Sequence, residues 1–175
     1  MRRSWVRLLP VVALAMPGSV QATVYLTVDQ AQSAMFPRQR LVAAFRQLQP
    51  GEIAAIKKAS GVAPQSKQLQ AWRAQDGGWF IVDRVIGKHE FITYAVALTR
   101  DGAVRSVEIL DYRETYGGEI RNANWRQQFV GKRFGSQLQL DKDIKNISGA
   151  TLSSRHVTDG VRRLLATWQV VLRNG

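Results

Sequence analysis

At 175 residues and 45% hydrophobic content, the chain is sized for one globular domain with a proper core. It has no cysteine, which excludes disulfides, cysteine-ligated iron–sulfur clusters and thioether-linked haem; its two histidines, His89 and His156, lie too far apart to form a metal-binding motif. The net charge of +12 favours anionic partners, but the basic residues are scattered and form no run interleaved with aromatics, which argues against nucleic acid.

The first residues, Met1 to Arg7, carry three arginines, and Leu8 to Met16 run apolar before the small residues Ser19-Val20-Gln21-Ala22. That is the layout of a secretory signal peptide over 1–22, with the mature chain expected to start at Thr23. The other reading is an uncleaved N-terminal anchor, although the apolar run is short for a membrane span and Pro10 and Pro17 interrupt it. Loss of three arginines with the leader lowers the charge from +12 to +9.

Residues 23–68 read as a helical N-terminal lobe. A short strand at 25–28 leads to a helix over 29–36, where Thr27 and Gln30 have the spacing of a capping box and Pro37 stops the run. Leu41, Ala44, Phe45 and Leu48 repeat at helical spacing, and Pro50-Gly51-Glu52 marks a further start that lasts to Gly61. Residues 61–68 are polar and loop-like.

Residues 69–175 read as an α+β domain. Trp79–Val85, Phe91–Thr99 and Val104–Tyr112 are aromatic and β-branched, and Asp101-Gly102 supplies a hairpin turn. With no βαβ alternation and no Gly-x-Gly-x-x-Gly, the pattern predicts an antiparallel β-sheet packed with helices on one side, not a Rossmann unit. A short helix is expected over 122–128 around Trp125. A long one is expected from about Ser153, with Val157, Val161, Leu164, Leu165, Trp168 and Val171 as its buried stripe. Trp125 and Trp168 read as core.

Directly before that helix lies Ser148-Gly149-Ala150-Thr151-Leu152-Ser153-Ser154. A helix start offers unpaired N–H groups and partial positive charge, a ready seat for a phosphate, and Gly149 and Ala150 keep bulk away from the backbone. The same serines and threonine could equally be ordinary caps, and the residues alone leave both readings open.

Two segments carry a family resemblance. Ser148-Gly149-Ala150-Thr151, and Glu114-Thr115-Tyr116-Gly117-Gly118 followed by Trp125 and Phe129-Val130-Gly131-Lys132, resemble the motifs of the FMN-binding domain family. That family includes the C subunit of the sodium-translocating NADH:quinone reductase and the G subunit of the Rnf complex. The resemblance covers roughly residues 80 to 170. It implies FMN as cofactor, linked by a phosphoester to Thr151, with Ser148, Gly149, Ala150, Leu152 and Ser153 around the phosphate. It also implies that the turn Glu114, Thr115, Tyr116, Gly117 and Gly118 lies against the isoalloxazine ring. Tyr116 stands where the family often has Pro, and Gly118 where it often has Leu. Lys145 stands where the family usually has an Asp that the attaching flavin transferase reads; the nearest acid is Asp143. Flavin bound without the covalent link is therefore a second expectation.

Lys88, His89 and Glu90 fall in a loop that the resemblance brings to the flavin. A protonated His89 would favour reduced flavin, and the bland reading is a solvated loop side chain. His156, one turn into the last helix, is a further candidate for the phosphate. No nucleophile–base pair or carboxylate dyad suggests catalysis by the side chains themselves, and no metal ligands cluster. The expectation is an exported electron carrier or reductase module, matured by a flavin transferase and paired with a membrane or periplasmic redox partner. The alternative is a cofactor-free exported binding or adaptor domain, whose basic surface would meet an acidic partner or anionic lipid.

Overall fold

The computed structural model describes residues 23–114 and 116–174. The expected signal peptide and Thr115 lie outside the described residues.

Three long strands form the centre of one antiparallel sheet: β5 (Trp79–Ile86), β6 (Phe91–Leu98) and β7 (Val104–Tyr112). β5 and β6 pair without interruption from Trp79↔Leu98 to Ile86↔Phe91, and the hairpin at Asp101-Gly102 joins β6 to β7 as its turn residues require, with Gly102 at φ +78°. β4 (Gln68–Ala74) flanks β5. The order through the described residues is β1-β7-β6-β5-β4-β2, with β3 also on β4. The outer strands are short: β1 is Thr23–Val24, β2 Leu41–Ala43 and β3 Arg46–Gln47. The outer side of β7 that β1 leaves open is covered by the segment after it, through Arg126 Nε to the Val107 carbonyl (2.7 Å), Gly131 N to Val104 O (2.8 Å) and Val104 N to Lys132 O (2.8 Å).

The stretch 41–48, expected as helix, is instead the strand pair β2 and β3. Leu41 to Ala43 face Ala74 to Trp72, and Arg46 faces Leu69. The unpaired edge of β4 captures this segment, and tertiary hydrogen bonding overrides a local spacing that fits a helix. The expected strand at 25–28 is likewise displaced, with pairing at 23–24 and the helix beginning at Val28.

Helix α1 (Val28–Met35) begins at the expected capping box: Thr27 Oγ1 accepts from Gln30 N (3.2 Å) and Gln30 Oε1 from Thr27 N (2.9 Å). It lays Ala31 and Met35 on the face of the sheet made by Phe80, Val82, Ala95, Ala97 and Leu110. The small Ala95 and Ala97 leave room for it. On the other face, the alternate residues Trp79, Ile81, Tyr94, Val96 and Ile109 meet α4 (Thr151–Thr167) through Val157, Val161, Leu164 and Leu165, with Ile56 of α2 (Pro50–Ser60) in the same core. The α+β class and the antiparallel sheet are as expected. The helices, however, cover both faces, because β5 and β6 are apolar on both sides and neither side can be left to water. Among the described residues no helix is long and apolar enough to cross a membrane.

A buried polar knot fixes α4 on the sheet. Arg163, 2% exposed, donates to Asp83 Oδ2 (2.6 Å) and to the carbonyls of Ala63 (3.3 Å) and Arg84 (3.1 Å), while Tyr94 Oη donates to the same carboxylate (3.2 Å). Gly160 admits the phenol: a Cβ there would fall 2.4 Å from Tyr94 Oη. Burial, reinforced by the Asp83 charge, pushes the Tyr94 phenol well above its usual range, so it stays a donor. Held this way, α4 presents its N-terminus beside the end of the sheet where β5 turns into β6 and β7 runs out.

Candidate functional site

The approach to α4 is set by α3 (Ala123–Arg126) and the 3-10 turn after it. Trp125 Nε1 donates to the Lys145 carbonyl (2.8 Å) and Gln128 Oε1 accepts from Lys145 N (2.8 Å), so the backbone at 145 is gripped from both sides. Asp143 is consumed upstream. Its carboxylate takes Lys132 Nζ (2.8 Å) and the N–H groups of Leu138 (3.1 Å) and Gln139 (2.9 Å). Burial raises this carboxyl, but those donors outweigh it and hold it below its ordinary range.

Gly149 then turns the chain at φ +81°, with open space where a Cβ would sit, and Ala150 enters the helix. Among the described residues no side chain caps α4, and its first turn holds no acid. The nearby hydroxyls have other partners. Ser153 Oγ pairs with Tyr112 Oη (3.1 Å), and Ser154 Oγ donates back to the Ala150 carbonyl (2.9 Å). Thr151 Oγ1 accepts from Asn146 Nδ2 (3.3 Å), and Ser148 is not the N-cap. Of the two readings left open by the residues, ordinary side-chain capping is therefore not what this turn does. The helix start is left with its N–H groups and partial positive charge unopposed, the condition for an anion.

Facing this helix start is the end of β7 and the turn after it. Tyr112, buried, donates its phenol proton to the Tyr116 carbonyl and pairs with Ser153, thereby tying the two walls together. Gly117 (φ +93°) fits only as glycine: a Cβ would lie 2.5 Å from Tyr112 Oη and 3.1 Å from the Ala150 Cβ. Glu114 reaches across to the β5–β6 loop, where its Oε1 accepts from His89 N (2.6 Å) and Glu90 N (3.0 Å). Burial alone would raise its pKa, yet the backbone donors of Glu90, His89 and Lys88 prevail and hold it low.

Between these walls opens a cleft of about 500 Å³ lined by Lys88, His89, Glu114, Tyr116, Gly149, Ala150, Thr151, Leu152 and Ser153. The volume lies within the range of sites for cofactors and small molecules. Thr151 and Leu152 line it as exposed residues, and so does Tyr116, 82% exposed. The two segments singled out in the sequence, separated by some thirty residues, thus face one space.

Several residues fall elsewhere. Ser148, Gly117 and Gly118 do not line the cleft; Gly117 is packed behind it, and Gly118 opens a 3-10 turn beside Arg121. His156 does not reach Thr151's cleft. It lines a separate cavity of about 230 Å³ with Val62, Val85, Ile86 and Arg163, because its position on α4 turns it toward the β5 side. Sequence reasoning missed Tyr112, Gln128 and Asn146, and placed Trp125 in the core without its bond to Lys145. Tyr112, Gln128 and Trp125 act through partners remote in sequence, and Asn146 belongs to no motif. Only the polar tip of an aromatic at a strand end gave any signal, for Tyr112. Among the described residues no group of His, Asp or Glu converges as metal ligands.

Residues 87–166 match the model of a family described as an FMN-binding domain. The match begins at the glycine beneath Glu114 and runs through β6, β7, the Tyr116 turn and most of α4, so it takes in both walls of the cleft. No curated protein matches the chain.

Proposed function

We propose that this chain, whose residues 87–166 match the FMN-binding domain family, is an exported electron-transfer flavoprotein whose FMN is phosphoester-linked to Thr151. The observation that carries the reading is the uncapped, acid-free start of α4, which opens into a cleft of about 500 Å³ that Thr151 lines.

The residues fit the cofactor. The N–H groups at the start of α4 would receive the phosphate, and Gly149 leaves the backbone open to it. Leu152 and Tyr116 offer apolar surface for a flat ring, and Lys88 and His89 offer donors for its polar edge. Bound FMN supplies one- and two-electron transfer, which no side chain of this cysteine-free protein provides. The protein's own contribution is to bind, orient and leave one side of the cleft open to a partner. Tyr112 keeps the walls at fixed separation, and Glu114 holds the His89 loop in place. The family motif supports covalent attachment by a flavin transferase. The leader-like residues 1–22 support export, and a redox partner at or near a membrane would supply the electrons.

The test is the intact mass of the chain after co-expression with a flavin transferase. The mass should rise by one FMN less water, Thr151→Val should abolish the rise, and the yellow colour should survive denaturation. A colourless chain of unmodified mass would favour the cofactor-free adaptor instead. Export is checked separately, by recovery of a chain beginning at Thr23.

A further inference from the structure

We propose that Asn146 is a positioning residue that presents the Thr151 hydroxyl for phosphoester formation, an inference that rests on the flavin-attachment reading above. The five hydroxyls of α4 are not equivalent. Ser154, Thr158 and Thr167 each give their proton to the carbonyl four residues back, at 2.9, 2.7 and 3.0 Å, and Ser153 is paired with Tyr112. Thr151 differs. Among the described residues its oxygen receives a hydrogen bond, from Asn146 Nδ2 at 3.3 Å, and its proton goes to no protein acceptor. A back-bond like those of its neighbours would tie up the hydroxyl proton and point a lone pair away from the cleft. Asn146 instead occupies one lone pair and leaves the proton and the other lone pair free on a residue that lines the cleft.

The amide has no competing task. Its Oδ1 is buried without any partner, so the bond to Thr151 is the one side-chain hydrogen bond it makes among the described residues. A polar atom left unpaired costs stability, and its retention in this place points to use. The backbone that carries the amide is also firmly gripped, since the neighbouring Lys145 is bonded on its N–H by Gln128 and on its carbonyl by Trp125. Asn146 is thus delivered to Thr151 by α3, and a fixed donor on one lone pair holds the attacking oxygen in a single orientation while its proton is withdrawn.

The step balances with an activated donor. Forming a phosphoester from a free alcohol in water needs a leaving group, which a pyrophosphate-linked flavin dinucleotide supplies. The Thr151 Oγ–P bond forms and the bridging P–O bond breaks. The second mononucleotide departs with the bridging oxygen, and the hydroxyl proton passes to a base of the transferase or to water. Asn146 keeps its protons throughout.

The experiment uses the full chain, purified without flavin, with a flavin transferase and flavin adenine dinucleotide, followed by intact mass over time. Asn146→Asp keeps the shape and loses the N–H donor, and Asn146→Ala removes the amide. Both should slow attachment at least tenfold in kcat, with the KM for the chain as acceptor and the melting temperature unchanged. If Asn146→Ala fails to fold, Asn146→Asp decides alone. Attachment to Asn146→Asp at the wild-type rate, or a loss confined to KM, overturns the positioning role while the flavoprotein reading stands. A wild-type chain that gains no mass overturns both.

Discussion

Glu114 lies so close to Gly87 that a Cβ on residue 87 would fall 2.5 Å from the Glu114 Oε1. The same oxygen accepts the N–H groups of His89 and Glu90, while Gly87 N closes the turn on the Glu90 carbonyl at 2.7 Å. A carboxylate from the end of β7 therefore serves as the template on which the β5–β6 loop is folded, and Gly87 is glycine because the template occupies the space of a side chain. The family resemblance implies a place for Glu114 against the ring; the structure shows the carboxylate lining the cleft while its hydrogen bonds go to the loop that carries His89.

Glu114→Gln should cost about 1–2 kcal/mol, since charge-assisted bonds to backbone N–H groups become neutral ones. Gly87→Ala should loosen the same loop by pushing the Glu114 carboxylate aside, with no charge removed. Urea unfolding measures the first. Hydrogen exchange at Lys88 to Glu90 measures both, and unchanged protection in either variant would refute the template role.

The acid limb of stability follows from carboxylates held low. Asp76 sits at about 2: burial opposes this, and bonds from Arg105, Gln39 and the Gly78 N–H overcome it. Glu114 and Asp143 shift in the same direction, each against its own burial. For Asp143 the donors are Lys132 and the backbone N–H groups of Gln139 and Leu138. A carboxyl whose folded pKa is depressed contributes stability that is fully present above its unfolded value, about 4, and is lost as pH falls through the folded value. Stability should therefore decline between about pH 4 and pH 2, and Asp76→Asn should flatten that decline. Urea midpoints across this range test it; an unaltered slope in Asp76→Asn would count against the assignment.

Tyr112→Phe removes the bond to the Tyr116 carbonyl and the pairing with Ser153 while keeping the ring. The expected loss is about 1–2 kcal/mol in urea unfolding. Burial raises the Tyr112 phenol, so the hydroxyl remains a donor across the neutral range and the loss should not vary with pH there. A variant as stable as the wild type would mean that the two walls do not depend on this tie.

Asp83→Ala strands the buried guanidinium of Arg163 and should destabilise the fold by about 3–5 kcal/mol. Pairing Asp83→Leu with Arg163→Met removes both charges and should restore most of that loss. Thermal unfolding of the single and double variants decides it: a double variant no better than the single one would mean that the knot's geometry, not its unpaired charge, sets the cost.

Local signals are legible where neighbours in sequence are neighbours in space. The Thr27–Gln30 box, the Asp101-Gly102 turn and the apolar stripe of α4 are all of this kind. The stretch from Leu41 to Leu48 reads as helix but is strand, because its structure is decided by the edge of β4, some thirty residues away. The same holds in the cleft. Thr151 and the Gly149 turn announce themselves locally, whereas Tyr112 meets Ser153 across 41 positions and Trp125 meets Lys145 across 20. No periodicity encodes such pairs.

The sheet's margins have a colloidal consequence. The long strands lie inside, and the outermost pieces are β1 with two residues and β2 with three, while the flank of β7 is occupied by Arg126, Gly131 and Lys132. Among the described residues little backbone is left on which a foreign strand could be templated, and such short borders guard a fold against edge-to-edge aggregation.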